Sequence, residues 1–170
     1  MASSWDGALV EGLEIREKLL SPEHKDVSYS LNELGQLYYA TNRLAKAEPL
    51  MARALKIEEV AFGPGPPKVA IRLNNLAQLY QETNRLGEAE LLMARALKID
   101  EAAFGPVHSK VATRLNNLAQ LYQETNRHAE AEPLAERAYQ IMKDSLGVEH
   151  PNTIAVLDNL NAIRKELEKG

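Results

Sequence analysis

The sequence repeats itself at a spacing of 42 residues. The run RLNNLAQLYQETNR occupies residues 72–85 and returns unchanged at residues 114–127. A related run, SLNELGQLYYATNR, occupies residues 30–43, and residues 156–169 continue the same register. A period in this range is typical of stacked arrays, in which each unit buries its apolar face against its neighbours. Such arrays offer extended surfaces, so the repeat favours binding over catalysis.

Each repeat contains two apolar series at helical spacing, separated by an asparagine. In the central repeat, the first series begins at Val69 and the second at Leu86. Asn84 lies between them, and asparagine tolerates the left-handed conformation that closes many helices. Gly105 and Pro106 end the second series, because glycine caps a helix and proline prevents its continuation. Each repeat is therefore predicted to be two antiparallel helices joined by a tight turn.

Two prolines conflict with this assignment. Pro49 and Pro133 lie several residues inside the second helix of their repeats, where proline removes a backbone hydrogen bond. Two explanations stay open: these helices begin later than the apolar series suggests, or they bend near their starts.

The conserved spacing within the repeats resembles the tetratricopeptide repeat signature. Three repeats carry two leucines, a small residue, a tyrosine and two alanines in one register: Leu31, Leu34, Gly35, Tyr38, Ala47, Ala54; Leu73, Leu76, Ala77, Tyr80, Ala89, Ala96; and Leu115, Leu118, Ala119, Tyr122, Ala131, Ala138. The usual repeat has about 34 residues, whereas this one has 42 and lacks the proline that normally ends the second helix. The longer form resembles the repeats of kinesin light chains and related bacterial proteins.

The resemblance implies an all-α fold, a right-handed α-solenoid of antiparallel helix pairs with about eight helices. We expect one repeat domain over residues 1–170. Its parts are a lone second helix at 5–20, repeats at 24–62, 66–104 and 108–146, and a terminal capping helix at 150–168.

The first of these helices carries apolar residues that no preceding helix covers. Leu9 and Leu13 are the residues that we assign to self-association. Two readings stay open, because terminal repeats normally carry polar caps: the chain is a piece of a longer array, or this face meets another chain.

Composition excludes several function classes. The net charge is −4 with scattered Lys and Arg, which argues against a nucleic-acid groove and against a basic membrane-binding surface. The chain has no cysteine, so thiolate chemistry and disulfides are excluded. No signal peptide is visible, and a cytoplasmic protein is expected.

Catalytic, metal and cofactor sites are not expected. His24, His108 and His150 share one register position before a first helix, and consecutive repeats place them too far apart to share a metal ion. We interpret them as helix-entry residues that satisfy backbone groups. The same acidic residues recur in successive repeats, which indicates a solvated face rather than a catalytic carboxylate pair.

Amide side chains instead mark the first helices. In tetratricopeptide arrays the first helices line the concave groove, and asparagine and glutamine supply both hydrogen-bond donors and acceptors there. The candidate peptide-binding residues are Asn32, Gln36, Asn74, Asn75, Gln78, Gln81, Asn116, Asn117, Gln120 and Gln123. We favour the groove for Asn74, Asn116, Gln78 and Gln120. The alternative is that Asn75 and Asn117 bridge neighbouring helices.

The resemblance also argues against the carboxylate-ended tails of chaperones as ligands. Chaperone-binding members hold a carboxylate with Lys and Arg on successive first helices, and this chain matches only the Asn75 element of that clamp. Arg72 and Arg114 either supply positive charge for an acidic peptide or pair with a neighbouring Glu.

Two functions therefore follow from the sequence. The favoured one is a non-catalytic module that binds an extended or helical peptide segment of a protein partner in the groove. The alternative is a self-assembly or oligomerisation scaffold that uses the uncapped N-terminal helix or the array ends.

Overall fold

The computed structural model describes the backbone of residues 2–169 and the side chains of residues 6–169. Over this range the chain forms eight helices and no strand, as the sequence predicts. It divides into two compact units, Met1–Asn84 and Arg85–Gly170, here called unit 1 and unit 2. Unit 1 contains α1 (Ala2–Leu20), α2 (Lys25–Ala40), α3 (Leu44–Phe62) and α4 (Pro67–Glu82). Unit 2 contains α5 (Leu86–Phe104), α6 (Ser109–Glu124), α7 (His128–Leu146) and α8 (Pro151–Leu167).

Asparagine closes each complete first helix, as predicted. Asn42, Asn84 and Asn126 have φ of 55°, 59° and 58°, which is the left-handed region. The Arg43 N–H donates to the Tyr38 carbonyl and the Asn42 N–H to the Tyr39 carbonyl. These two bonds are the Schellman arrangement that satisfies the last carbonyls of a helix. The chain therefore reverses within three residues and places the second helix against the first.

Glycine ends the second helices at a conformation that other residues avoid. Gly63, Gly105 and Gly147 have φ between 81° and 87° with an extended ψ, and each N–H donates to the carbonyl four residues earlier. A side chain at these positions would be strained. The predicted stops at glycine are confirmed.

The two prolines lie inside continuous helices. The second helices begin at Leu44 and His128, so Pro49 and Pro133 fall in the second turn and the first explanation, a later start, is wrong. Each proline lacks an N–H donor, so the carbonyl four residues earlier, that of Ala45 or Ala129, loses its helical hydrogen bond.

The cores form where consecutive helices face each other within a unit. In unit 1, α1 packs on α2, α2 on α3 and α3 on α4. One cluster joins Leu13 of α1 with Val27, Leu31 and Leu34 of α2 and with Ala54 and Ile57 of α3. In unit 2, α6 packs on α5, α7 and α8. Its clusters are built around Leu115 and Ala119 of α6 and Leu160 of α8.

Candidate functional site: the first-helix face

One column of glutamines on the first helices is open to solvent. Gln36 and Gln78 in unit 1 and Gln120 in unit 2 are all exposed. Each lies four residues after an asparagine, Asn32, Asn74 or Asn116, so the two amides share one face of their helix. The sequence-predicted glutamines thus occupy positions from which they can reach a ligand.

Part of the asparagine column is used inside the fold, which corrects our preference for Asn74. Asn74 is only 7% exposed, so its side chain is not offered to a ligand. The Oδ1 of Asn116 accepts a hydrogen bond of 2.9 Å from the Nδ2 of Asn159, which joins α6 to α8. The sequence left open whether Asn75 and Asn117 bridge neighbouring helices; Asn116 makes such a bridge to Asn159. In unit 2 the physical reason is that Asn116 of α6 faces α8, the next first helix of the same unit.

The remaining candidates are half-buried. This group contains Asn32, Asn75, Gln81, Asn117 and Gln123. The buried Oδ1 of Asn32 has no hydrogen-bond partner among residues 6–169.

Arg72 and Arg114 pair with acidic residues of the preceding second helix. Arg72 Nη2 lies 3.0 Å from Glu58 Oε1 in unit 1, and Arg114 Nε lies 2.8 Å from Asp100 Oδ2 in unit 2. Both carboxylates are 1% exposed and both arginines 12%. A buried carboxylate requires its positive partner, so these arginines are structural. The sequence left open whether these arginines bind an acidic peptide or pair with a neighbouring acid, and the structure shows the second.

The two positions of this ion pair carry different residues in different repeats. Residues fourteen apart meet there: Arg16 donates to Ser30, Glu58 and Asp100 pair with Arg72 and Arg114, and Met142 shares an apolar cluster with Val156. The sequence analysis left an acidic partner open for Arg72 and Arg114 but did not identify the partner residues or the fourteen-residue spacing. The signal was present, because an acid and an arginine recur at that spacing in two successive repeats.

The histidine column acts at helix starts, as we interpreted it. The Nδ1 atoms of His24, His108 and His150 accept hydrogen bonds of 3.1–3.2 Å from the backbone N–H two residues later. This is the role of a residue that caps a helix start, where backbone donors otherwise lack partners. In the remaining repeat, Pro66 occupies this position before α4, and Pro67 is the first residue of that helix.

Several acidic residues outside the core form ion pairs. Arg127 donates to Glu130 and Glu90, and Tyr122 Oη donates to Glu90 Oε1 at 2.9 Å. The hydrogen bond from Arg127 is the largest cause that lowers the pKa of Glu90. A general acid needs a raised pKa, so this environment favours a permanently ionised carboxylate. Among residues 6–169 no group of three His, Asp or Glu side chains is arranged to hold a metal ion.

The residues that we assigned to self-association are placed differently. Leu13 is 8% exposed and belongs to the core of unit 1, and Leu9 is partly buried against the same cluster. The assignment of Leu13 is therefore wrong, because α2 covers it. The apolar side chains that α1 exposes are Ile15 and Leu19.

In the part of the chain that the structure describes, no helix is long and apolar enough to cross a membrane. Paired antiparallel helices, asparagine-closed turns and small residues at the helix contacts define a helical repeat protein. The model of the tetratricopeptide repeat matches residues 43–102, 69–144 and 110–168, and the chain belongs to this family. Tetratricopeptide repeats generally mediate protein–protein interactions and are typically non-enzymatic scaffolds.

Solved structures of the kinesin light chain type resemble this chain over nearly its whole length. A protein of Podosopora anserina with nearly identical kinesin light chain TPR-like repeats is 23% identical, covers 99% of this chain and 80% of its own, and has a TM-score of 0.86. BtubC (BKLC) from P. vanneervenii is 26% identical with a TM-score of 0.88, over 98% of this chain and 66% of its own. The Sgt2 TPR domain from Aspergillus fumigatus is 22% identical with a TM-score of 0.60, over 84% of this chain and 80% of its own. No curated protein sequence matches this chain.

Proposed function

We propose that the chain is a non-catalytic interaction module whose first-helix faces bind an extended or helical segment of a partner protein. The observation that carries this proposal is the exposure of all three glutamines in one column, Gln36, Gln78 and Gln120. The neighbouring leucines of the same helices are buried, so the open amides are not needed by the core. An amide that offers a donor and an acceptor suits the backbone of a peptide, whatever the peptide's side chains.

Replacing Gln120 by alanine is expected to weaken peptide binding without affecting stability. The probe is a peptide selected on this chain from a displayed library of random peptides, and its affinity is measured by calorimetry. Loss of one neutral hydrogen bond predicts a decrease of roughly 2- to 10-fold in affinity. The melting temperature is expected to stay close to that of the parent, because exposed substitutions change stability little.

Gln140→Ala is the matched control, because Gln140 is an exposed glutamine on the second helix α7. Equal losses from the two substitutions would place the binding surface elsewhere and contradict the proposal. Gln78→Ala makes the same test on unit 1.

A second candidate function, self-assembly, is supported by the exposure of Ile15. Ile15 is 49% exposed, whereas Ile57, Ile99 and Ile141, at the same register position of α3, α5 and α7, are 4%, 8% and 6% exposed. Leu19, one turn further on α1, is also exposed. An apolar face of this kind is what an interface between copies would cover.

Under this second function, Ile15→Glu is expected to keep the chain monomeric at concentrations where the parent associates. Light scattering from micromolar to millimolar concentration measures the mass. Leu91→Glu is the control, because Leu91 is an exposed leucine on α5. A parent chain that is monomeric over the whole range would exclude self-assembly through this face.

The cytoplasmic location, and the absence of nucleic-acid and membrane partners, stay predictions.

A further inference from the structure

Unit 2 contains a cavity on its first-helix face, between α6 and α8. The cavity has a volume of about 200 Å³ and is lined by Thr113, Asn116, Met142, Asn152, Ala155 and Val156. Thr113 and Asn116 precede the exposed Gln120 by seven and four residues, so the three lie on one face of α6. The cavity therefore opens beside the glutamine column of the same unit.

The lining of the cavity combines an apolar floor with an uncharged polar rim. Met142 and Val156 are both 4% exposed and belong to the core of unit 2. Thr113 and Asn152 are exposed. Asn116 is half-buried, and its Oδ1 accepts a hydrogen bond from Asn159. None of the six lining residues carries a charge, so a charged group entering this space would lose water without gaining a counter-charge.

The residues that line the cavity differ from those of unit 1 at five of the six register positions. Two repeats earlier, unit 1 carries Tyr29, Asn32, Glu58, Lys68, Ile71 and Arg72 at the corresponding positions. There Arg72 pairs with the buried Glu58, and its Cζ lies 5.8 Å from the centre of the Tyr29 ring. In unit 2, valine replaces that arginine, methionine the glutamate and threonine the tyrosine. Loss of the arginine and of three other long side chains leaves the space open above an apolar floor.

We infer that this cavity is the specificity pocket of unit 2 and that it takes one uncharged apolar side chain of a bound peptide. This inference rests on the proposed function and names the chemistry of its ligand. The volume exceeds the roughly 150 Å³ of an engineered apolar cavity that binds benzene, so a leucine, methionine or phenylalanine side chain fits. Peptide amides then lie next to Thr113, Asn152 and Gln120, which supply uncharged hydrogen-bonding groups.

The first test uses a minimal probe and methionine methyl groups as reporters. The chain labelled with ¹³C at the methionine methyl groups is titrated with N-acetyl-leucine N-methylamide and followed by NMR. The signal of Met142, assigned with Met142→Leu, is expected to shift and saturate. Met51 and Met93, which are equally buried but line no part of this cavity, are expected to stay in place. The serine and aspartate analogues are expected to bind on the order of tenfold more weakly, because they bury less apolar surface.

Two variants restore larger side chains to the cavity. Ala155→Ile and Thr113→Tyr introduce the residues that unit 1 carries at these positions, Ile71 and Tyr29. Both positions are exposed, so the fold is expected to be kept, which circular dichroism checks. Each variant is expected to abolish the shift of Met142 by the leucine probe. Ala103→Ile, an exposed substitution on the second helix α5, is expected to leave that shift unchanged.

The outcomes separate this inference from the proposed function. Equal shifts at Met51, Met93 and Met142, no shift at Met142, or a full response in Ala155→Ile overturns the pocket. If Ala155→Ile leaves the affinity of the selected peptide unchanged while Gln120→Ala lowers it, the binding face stands and the pocket falls. If the probe binds at Met142 and is lost in Ala155→Ile while Gln120→Ala has no effect, the pocket stands and the glutamine column falls.

Discussion

Arg114→Val alone is expected to lower the free energy of unfolding by about 3–5 kcal/mol, the usual range for one partner removed from a buried ion pair. The side chain of Asp100 is 1% exposed, and Arg114 supplies the positive charge beside it. The buried Oδ1 of Asp100 already has no hydrogen-bond partner among residues 6–169. Without the guanidinium, the carboxylate stays buried and uncompensated. Urea unfolding, followed by circular dichroism and by hydrogen exchange of the α5 and α6 amides, measures the loss.

The double variant Asp100→Met, Arg114→Val is the control that the chain itself provides. Methionine and valine occupy this register position at Met142 and Val156, where both are buried in an apolar cluster. Replacement of a buried ion pair by well-packed apolar residues is often neutral or stabilising by about 1–4 kcal/mol. The double variant is therefore expected to be at least as stable as the parent. A single variant that loses less than about 1 kcal/mol would contradict the structural role of this pair.

Leu115→Ala is expected to cost about 2–5 kcal/mol, the range for a fully buried leucine. Leu115 is 0% exposed and lies at the centre of the cluster that joins α6, α7 and α8. Its removal takes away apolar surface burial and leaves a cavity between three helices. The same unfolding measurement detects the change.

Leu157→Ala provides the comparison at an identical register position. Leu157 is only partly buried on α8, so less apolar area returns to water and the expected loss is smaller. Equal losses at Leu115 and Leu157 would show that position in the repeat, rather than burial, controls the cost.

The turns and the helix ends could be predicted because they depend on single residues. Asn84 adopts the left-handed conformation and Gly105 ends its helix, as their backbone preferences require. His108 accepts a backbone hydrogen bond at a helix start for an equally local reason. Such features need no knowledge of what lies beside the helix.

The side chains that we placed incorrectly are those whose burial depends on a neighbouring helix. Asn74 and Gln78 look alike in the sequence, since both are amides on one helix face, yet the first is buried and the second exposed. Leu13 and Ile15 were both expected to be uncovered; α2 covers Leu13, whereas Ile15 is exposed to solvent.

The sequence by itself determined the number of helices, their pairing, the closing turns and the apolar stripes, because each follows from a local backbone preference or from the 42-residue period. The tertiary structure alone decided which polar side chains are buried, which arginines are neutralised and where a cavity opens. These outcomes depend on how far away a neighbouring helix lies and on which side chains it carries. The periodicity of a single helix gives no information about either.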